Sequence, residues 1–247
     1  SQLRSIADTA PEVPAPAQTN SPIQLNSPIT IGVVKNDAFG FYYPGDLQAL
    51  EDCGAKLVTI DTIRDTELPE IDALFIGGGF PETRIEALSA NRTMREAIKQ
   101  ALQDNLPCYA ECGGLMYLAR SLSWKDRKSE MVGVIPADII MHTRPQGRGY
   151  VRLQETDASI WPGAPALPEF SAHEFHYSRF NKIGNNVQFA FHVKRGMGIN
   201  GKSDGYVYKN MLANYTHQRN TWNNPWVQRF INFARNHKVQ TQQQTNN

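Results

Sequence analysis

Cys112 lies in the run Tyr109-Ala110-Glu111-Cys112-Gly113-Gly114-Leu115, after an apolar strand-like stretch and before Leu115-Met116-Tyr117-Leu118-Ala119, which reads as the first turns of a helix. A cysteine at a strand-to-helix turn has its thiol pushed out of the sheet, and the free N–H groups of a helix start favour a thiolate. Gly113 lets a substrate or another backbone come close, and the N–H that follows a nucleophile can face a developing oxyanion. The competing reading is a buried structural cysteine beside a Gly-Gly turn, and this stretch alone does not choose between them. Two further features do. Gly77-Gly78-Gly79-Phe80-Pro81-Glu82 follows an apolar strand and can turn its N–H groups into a nest for an oxyanion; it lacks the lysine and hydroxyl of a P-loop and the spacing of a dinucleotide fingerprint. His217 closes the late run Met211-Leu212-Ala213-Asn214-Tyr215-Thr216-His217. Nucleophile, oxyanion hole and general base are the parts of thiol acyl transfer.

Five other histidines compete for the role of base: His142, His173, His176, His192 and His237. His173-Glu174-Phe175-His176 is also a candidate metal-binding pair. In a strand, however, His173 and His176 point to opposite faces, so no metal site is expected.

The elements that must position these residues follow from hydrophobic patterning. Ile29 to Val34 is a continuous β-branched run, the signature of a strand buried on both faces of a parallel sheet. A helix over 45–52 stops at Gly54, and Lys56 to Ile60 and Ala73 to Ile76 are the next strands. Helical segments are expected over 82–90 and 93–104, and 106–110 is the strand that delivers Cys112. This alternation is that of a doubly wound α/β sheet, whose ligands bind at the carboxyl ends of the strands. Beyond Pro136 the pattern changes to strands without long helices, over 149–153, 170–177, 189–193 and 205–208, read as antiparallel additions. A closing helix over 225–236 carries Trp226, Phe230 and Phe233, and 239–247, rich in Gln, reads as a disordered tail.

At 247 residues and 40% hydrophobic content the chain can bury a substantial core. A net charge of +1 gives no electrostatic reason to expect nucleic acid or an anionic membrane. No run approaches the length of a membrane helix, and the N-terminus lacks the layout of a signal peptide. Three irregularly spaced cysteines, Cys53, Cys108 and Cys112, make neither a disulfide framework nor a zinc site, so the expected compartment is the cytoplasm. Residues 1–28 are dominated by Pro, Ala, Ser, Asn and Gln beyond Ala7 and are read as a linker and the tail of a missing upstream domain, with a disordered terminal tail as the other reading.

Four motifs occur in one order: Ala38-Phe39-Gly40-Phe41-Tyr42-Tyr43-Pro44, the Gly77–Glu82 loop, Tyr109 to Leu118, and His173-Glu174-Phe175-His176-Tyr177-Ser178. Together they resemble the C-terminal glutaminase domain of the cobyrinate a,c-diamide synthase family, class I glutamine amidotransferases of the cobalamin-synthesis type. The resemblance implies an α/β, three-layer, flavodoxin-like fold over 29–238, with a mixed sheet and antiparallel additions in the C-terminal half. It implies that Cys112 takes the acyl group of glutamine and releases ammonia, that His217 activates it, and that Gly78, Gly79 and Gly113 border the oxyanion. Arg144, in a segment similar to the family's stretch before a Gly-Tyr strand start, is expected to hold the α-carboxylate of glutamine, a task suited to a guanidinium fork.

By the same resemblance, ATP and Mg²⁺ belong to an N-terminal synthetase domain that also binds the tetrapyrrole and uses the ammonia to amidate its a and c carboxylates; no cofactor is expected here. Triad amidotransferases carry a glutamate two residues after the histidine, where this chain has Arg219, so the third member is expected to be absent or supplied by the synthetase domain. The aromatics Phe39 to Tyr43 are read either as part of the interface with that domain or as packing over the first helix. A related diamide synthase acting on a sirohaem-type or nickel tetrapyrrole is the alternative, and a thiol hydrolase of similar fold leaves the Phe-Tyr-Tyr-Pro and His-Glu-Phe-His-Tyr-Ser motifs unexplained.

Overall fold

The computed structural model describes residues 28–163, 165, 168–181, 183, 184 and 187–245. Residues 1–27, which carry the expected linker, lie outside the described residues. The chain opens with β1 (Ile29–Val34), β2 (Phe39–Phe41) and α1 (Pro44–Asp52), followed by β3 (Ala55–Ile60), β4 (Ala73–Ile76) and the two-residue β5 (Gly78–Gly79). A 3₁₀ turn (Pro81–Arg84), α2 (Ile85–Ala90) and α3 (Arg92–Gln103) lead to β6 (Cys108–Glu111) and α4 (Gly113–Leu118). Then come β7 (Ala119–Trp124), β8 (Arg127–Glu130), β9 (Ile135–Met141), β10 (Gly147–Glu155), β11 (Glu169–His176), β12 (Ser178–Asn181), β13 (Gln188–Arg195), β14 (Ser203–Tyr208), β15 (Met211–Asn214) and α5 (Trp226–Thr245).

Nine strands form one mixed sheet in the order β11-β10-β13-β14-β15-β6-β4-β1-β3. Strands β3, β1, β4, β6 and β15 pair in parallel, and β14, β13, β10 and β11 extend the sheet by antiparallel pairings. The parallel strands alternate their side chains between two cores, as a period of two requires. Ile29, Ile31, Val33, Phe75, Tyr109 and Leu212 pack on one face with Leu50 of α1 and Trp226, Phe230 and Ile231 of α5. Val34, Leu74, Ile76, Cys108, Ala110 and Ala213 pack on the other with Ile85, Met94, Ile98 and Leu102 of α2 and α3. The fold is therefore a three-layer α/β sandwich.

Strands β7, β8, β9 and β12 form a separate four-stranded sheet, ordered β12-β9-β7-β8, which lays Leu122, Ile135 and Ile139 on the second core. One expectation is corrected. The closing helix does not stop at Asn236 and leave 239–247 as a tail, but continues to Thr245. No Gly or Pro interrupts that stretch, and Gln and Lys are good helix formers. Among the described residues no helix is long and apolar enough to cross a membrane.

Candidate active site

Cys112 and His217 are brought together by the pairing of β6 with β15. The two strands lie side by side in parallel, with Ala110 opposite Ala213 and Glu111 opposite Asn214, so both release their next residues at the carboxyl end of the sheet. The Cys112 N–H donates to the Asn214 carbonyl at 2.7 Å. The backbone then bends sharply at Cys112 (φ 46°, ψ −99°) and enters α4. A side chain held at positive φ costs about 1–3 kcal/mol and persists only where its surroundings fix it. The bend turns Sγ into a cleft, 4.0 Å from the Phe175 carbonyl oxygen.

His217 is fixed through both its backbone and its ring. Its N–H and C=O pair with the C=O and N–H of His173 on β11, at 2.6 and 3.1 Å. Its ring meets the edge of Phe41 at 4.7 Å between centroids, and Nδ1 lies 3.2 Å from Oε2 of Glu111. Glu111 is buried; its other oxygen accepts from the Tyr109 hydroxyl and from the Gln218 N–H at 2.9 Å. Burial works against a charged His217 ring, but the Cys112 side chain and the Glu111 carboxylate on either side outweigh it and raise its pKa from 6.5 to about 10. With Nδ1 committed to Glu111, the other ring nitrogen is left for Cys112, the relation between base and nucleophile in thiol enzymes.

Glu111 is the member of this cluster that sequence reasoning missed. The orienting acid was sought two residues after the histidine, where Arg219 instead lies over the Tyr43 ring at 5.5 Å. A third member was expected to be absent or to come from another domain; instead the carboxylate immediately before Cys112 lies at His217 Nδ1, and the parallel register that puts Glu111 opposite Asn214 is the signal that points to it.

The glycines serve close approach. A Cβ on Gly78 would lie 2.5 Å from Cε1 of His217, one on Gly79 2.0 Å from the Ala38 carbonyl oxygen, and one on Gly113 2.9 Å from the Gly79 nitrogen. The glycine loop therefore lies directly against the turn of the nucleophile. Gly79 forms part of the cleft wall, while Gly78 lies against the His217 ring. Tyr42 supports the loop from behind: its hydroxyl accepts from the Gly77 N–H at 3.0 Å and donates to the Val34 carbonyl. Of the aromatic cluster, then, Phe39 is a core residue, Tyr42 packs half-buried against the core and Phe41 faces the cleft. Arg144 is not brought in. It is exposed in the turn between β9 and β10, does not line the cleft, and its carbonyl accepts from the Gln146 side chain.

The cleft has a volume of about 170 Å³. Phe41, Phe80 and Phe175 give it apolar walls, and Cys112, His217 and His173 are its polar side chains. His173 and His176 do project from opposite faces of β11: His176 is buried, stacked on Tyr215 at 4.0 Å and facing Glu174 at 3.6 Å.

The family described as the CobB/CobQ-like glutamine amidotransferase domain matches residues 30–224. The chain is 42% identical over 221 residues to the cobyrinate a,c-diamide synthase of Magnetococcus marinus, covering 87% of this chain and 47% of that protein. It is 44% identical over 191 residues to that of Methanosphaera stadtmanae (76% and 40%), and 37% identical over 233 residues to that of Archaeoglobus fulgidus (94% and 50%). The chain thus spans about half the length of the curated relatives it matches. Among solved structures it resembles PurLQS from Thermotoga maritima (TM-score 0.63, 15% identity, 85% of this chain and 99% of that one) and a glutamine amidotransferase from the same organism (TM-score 0.54, 14%, 76% and 75%), a likeness of fold.

Proposed function

From the premise that this chain belongs to the CobB/CobQ-like glutamine amidotransferase family, we propose that it is the glutaminase half of an ATP-dependent amidotransferase that supplies ammonia for amidation of the a and c carboxylates of cobyrinate. The observation that carries the reading is the convergence of Cys112, His217 and Glu111 at one strand end, against a glycine loop. In this reading Cys112 reacts as the thiolate partner of a protonated His217: Sγ attacks the carboxamide carbon of glutamine, and the oxyanion that forms is met by backbone N–H groups of Gly79 and Gly113. His217, held charged beside Glu111, gives its proton to the departing nitrogen, so ammonia leaves and a thioester remains on Cys112. The now neutral His217 takes a proton from water as it attacks the thioester, glutamate departs, and the site is restored. ATP and Mg²⁺ are assigned to the synthetase half, because no P-loop occurs in this sequence. The cytoplasm, where three unpaired cysteines stay reduced, is the compartment that suits it.

The direct test is to incubate the protein with glutamine and measure glutamate and ammonia in equal amounts. Absence of both, even with the synthetase half present, would refute the reading.

A free glutaminase would waste ammonia, and coupling two sites requires an interface that biases one of them between states. The exposed rings of Phe41, Phe80 and Phe175 at the mouth of the cleft are suited to such an interface. Adding the synthetase half with ATP, Mg²⁺ and the tetrapyrrole is expected to raise glutamate release by this chain about 5- to 150-fold, since couplings of about 1–3 kcal/mol are typical. Because Glu111 already completes the site within this chain, the stimulation should appear with the catalytic groups unchanged, and a rate indifferent to the addition would disprove the coupling.

A further inference from the structure

His173 is the one polar side chain of the cleft that the proposed chemistry leaves without a task. Its backbone bridges His217, and its ring lies 6.5 Å from the His217 ring and 6.1 Å from that of the exposed Tyr150, centroid to centroid. No described residue hydrogen-bonds to that ring. Burial first, and the charge on His217 second, push its pKa below the ordinary value against a smaller opposing effect of Glu174. It therefore stands as a neutral imidazole with an unshared acceptor nitrogen beside the nucleophile. The fold fixes what it can face. Its ring lines the same cleft as Cys112 and His217, so a carboxamide held at Sγ comes within reach of its free nitrogen.

Resting on the glutaminase reading, we propose that His173 is a specificity-determining residue that accepts a hydrogen bond from the carboxamide nitrogen of glutamine and thereby selects an amide over an isosteric ester or a carboxylate. The alternating order of the His-Glu-Phe-His segment supports this. His173 and Phe175 face the cleft, whereas Glu174 and His176 are buried behind them, where the Glu174 carboxylate accepts the Met197 and Gly198 N–H groups at 2.8 Å each and holds the strand in place.

The test compares L-glutamine with L-glutamate γ-methyl ester, which carries no N–H to donate, both assayed with the synthetase half and its ligands present. The ratio of kcat/KM for glutamine to that for the ester is expected to fall about tenfold in His173→Phe, the worth of one lost hydrogen bond. In His173→Asn, whose Oδ1 can accept in place of the ring nitrogen, the ratio should recover by at least half of that factor. A His173→Phe protein in which both substrates fall equally, or neither falls, would overturn the assignment. Failure of the unsubstituted protein to hydrolyse either substrate would instead overturn the glutaminase reading beneath it.

Discussion

Cys112→Ala is expected to release no measurable glutamate, a loss on the order of 10⁴-fold or more, since removing the nucleophile removes the covalent route altogether. The variant should also stay folded. Alanine keeps the Cβ, so the bend at φ 46° is strained as before, and the lost sulfur gives up a long contact with the Phe175 carbonyl and its interaction with the His217 ring, neither of which holds the backbone turn. The companion substitution Cys112→Gly separates chemistry from strain. Glycine occupies positive φ freely, and relief of about 1–3 kcal/mol exceeds the roughly 0.5–1 kcal/mol that glycine loses through chain entropy. Thermal melting should therefore rise in Cys112→Gly relative to Cys112→Ala while both remain inactive. Glutamine hydrolysis surviving in a folded Cys112→Ala protein would remove Cys112 from the mechanism.

Glu111→Gln should cost on the order of 10²–10⁴ in kcat, the range associated with loss of an oriented base. Three donors converge on this carboxylate: the Tyr109 hydroxyl, the Gln218 N–H and the His217 Nδ1–H. A carboxylate accepts from all of them, whereas an amide must turn its NH₂ toward one, leaving a buried donor unmet and His217 free to adopt the wrong tautomer. Glu111→Asp, which keeps the charge on a shorter arm, should restore part of the rate. The pH dependence of stability gives a second readout. His217 has its pKa raised from 6.5 to about 10 by its partners, so the stabilisation from the pair is complete below about pH 6.5 and is lost as pH rises toward 10. The difference in melting temperature between the parent and Glu111→Gln should accordingly narrow between pH 7 and pH 10. A Glu111→Gln protein within threefold of the parent rate would show that His217 needs no such partner.

The parallel core was legible because a strand buried on both faces writes itself as an unbroken β-branched run, as Ile29 to Val34 does. The small second sheet was not. Strand β8 is Arg127-Lys128-Ser129-Glu130, polar throughout and paired on only one side, so neither period nor composition marks it. The cysteine could be read from its turn and the histidine from a motif, but Glu111 could not be read as the partner of His217, because strand pairing rather than sequence neighbourhood joins residues so far apart. Arg144 shows the opposite difficulty: a suitable chemical type was visible, and nothing in the sequence says that the β9–β10 turn leaves it exposed and off the cleft wall. The glycines were legible as a loop, but not which of them meets the His217 ring.

Because nucleophile and base leave adjacent parallel strands, their separation is set by the spacing of a hydrogen-bonded ladder, about 4.8 Å, and not by the length of chain between them. Between them the chain leaves β6, builds the small second sheet and the antiparallel strands β10, β11, β13 and β14, and returns at β15. Such an excursion can lengthen or shorten at its outer turns without moving either catalytic group. The hairpin at Lys125 and Asp126, where β7 and β8 meet with Lys125 already at φ 55°, is the natural place for it. A lineage carrying this site can therefore rebuild its periphery to suit new neighbours while the reaction centre stays still.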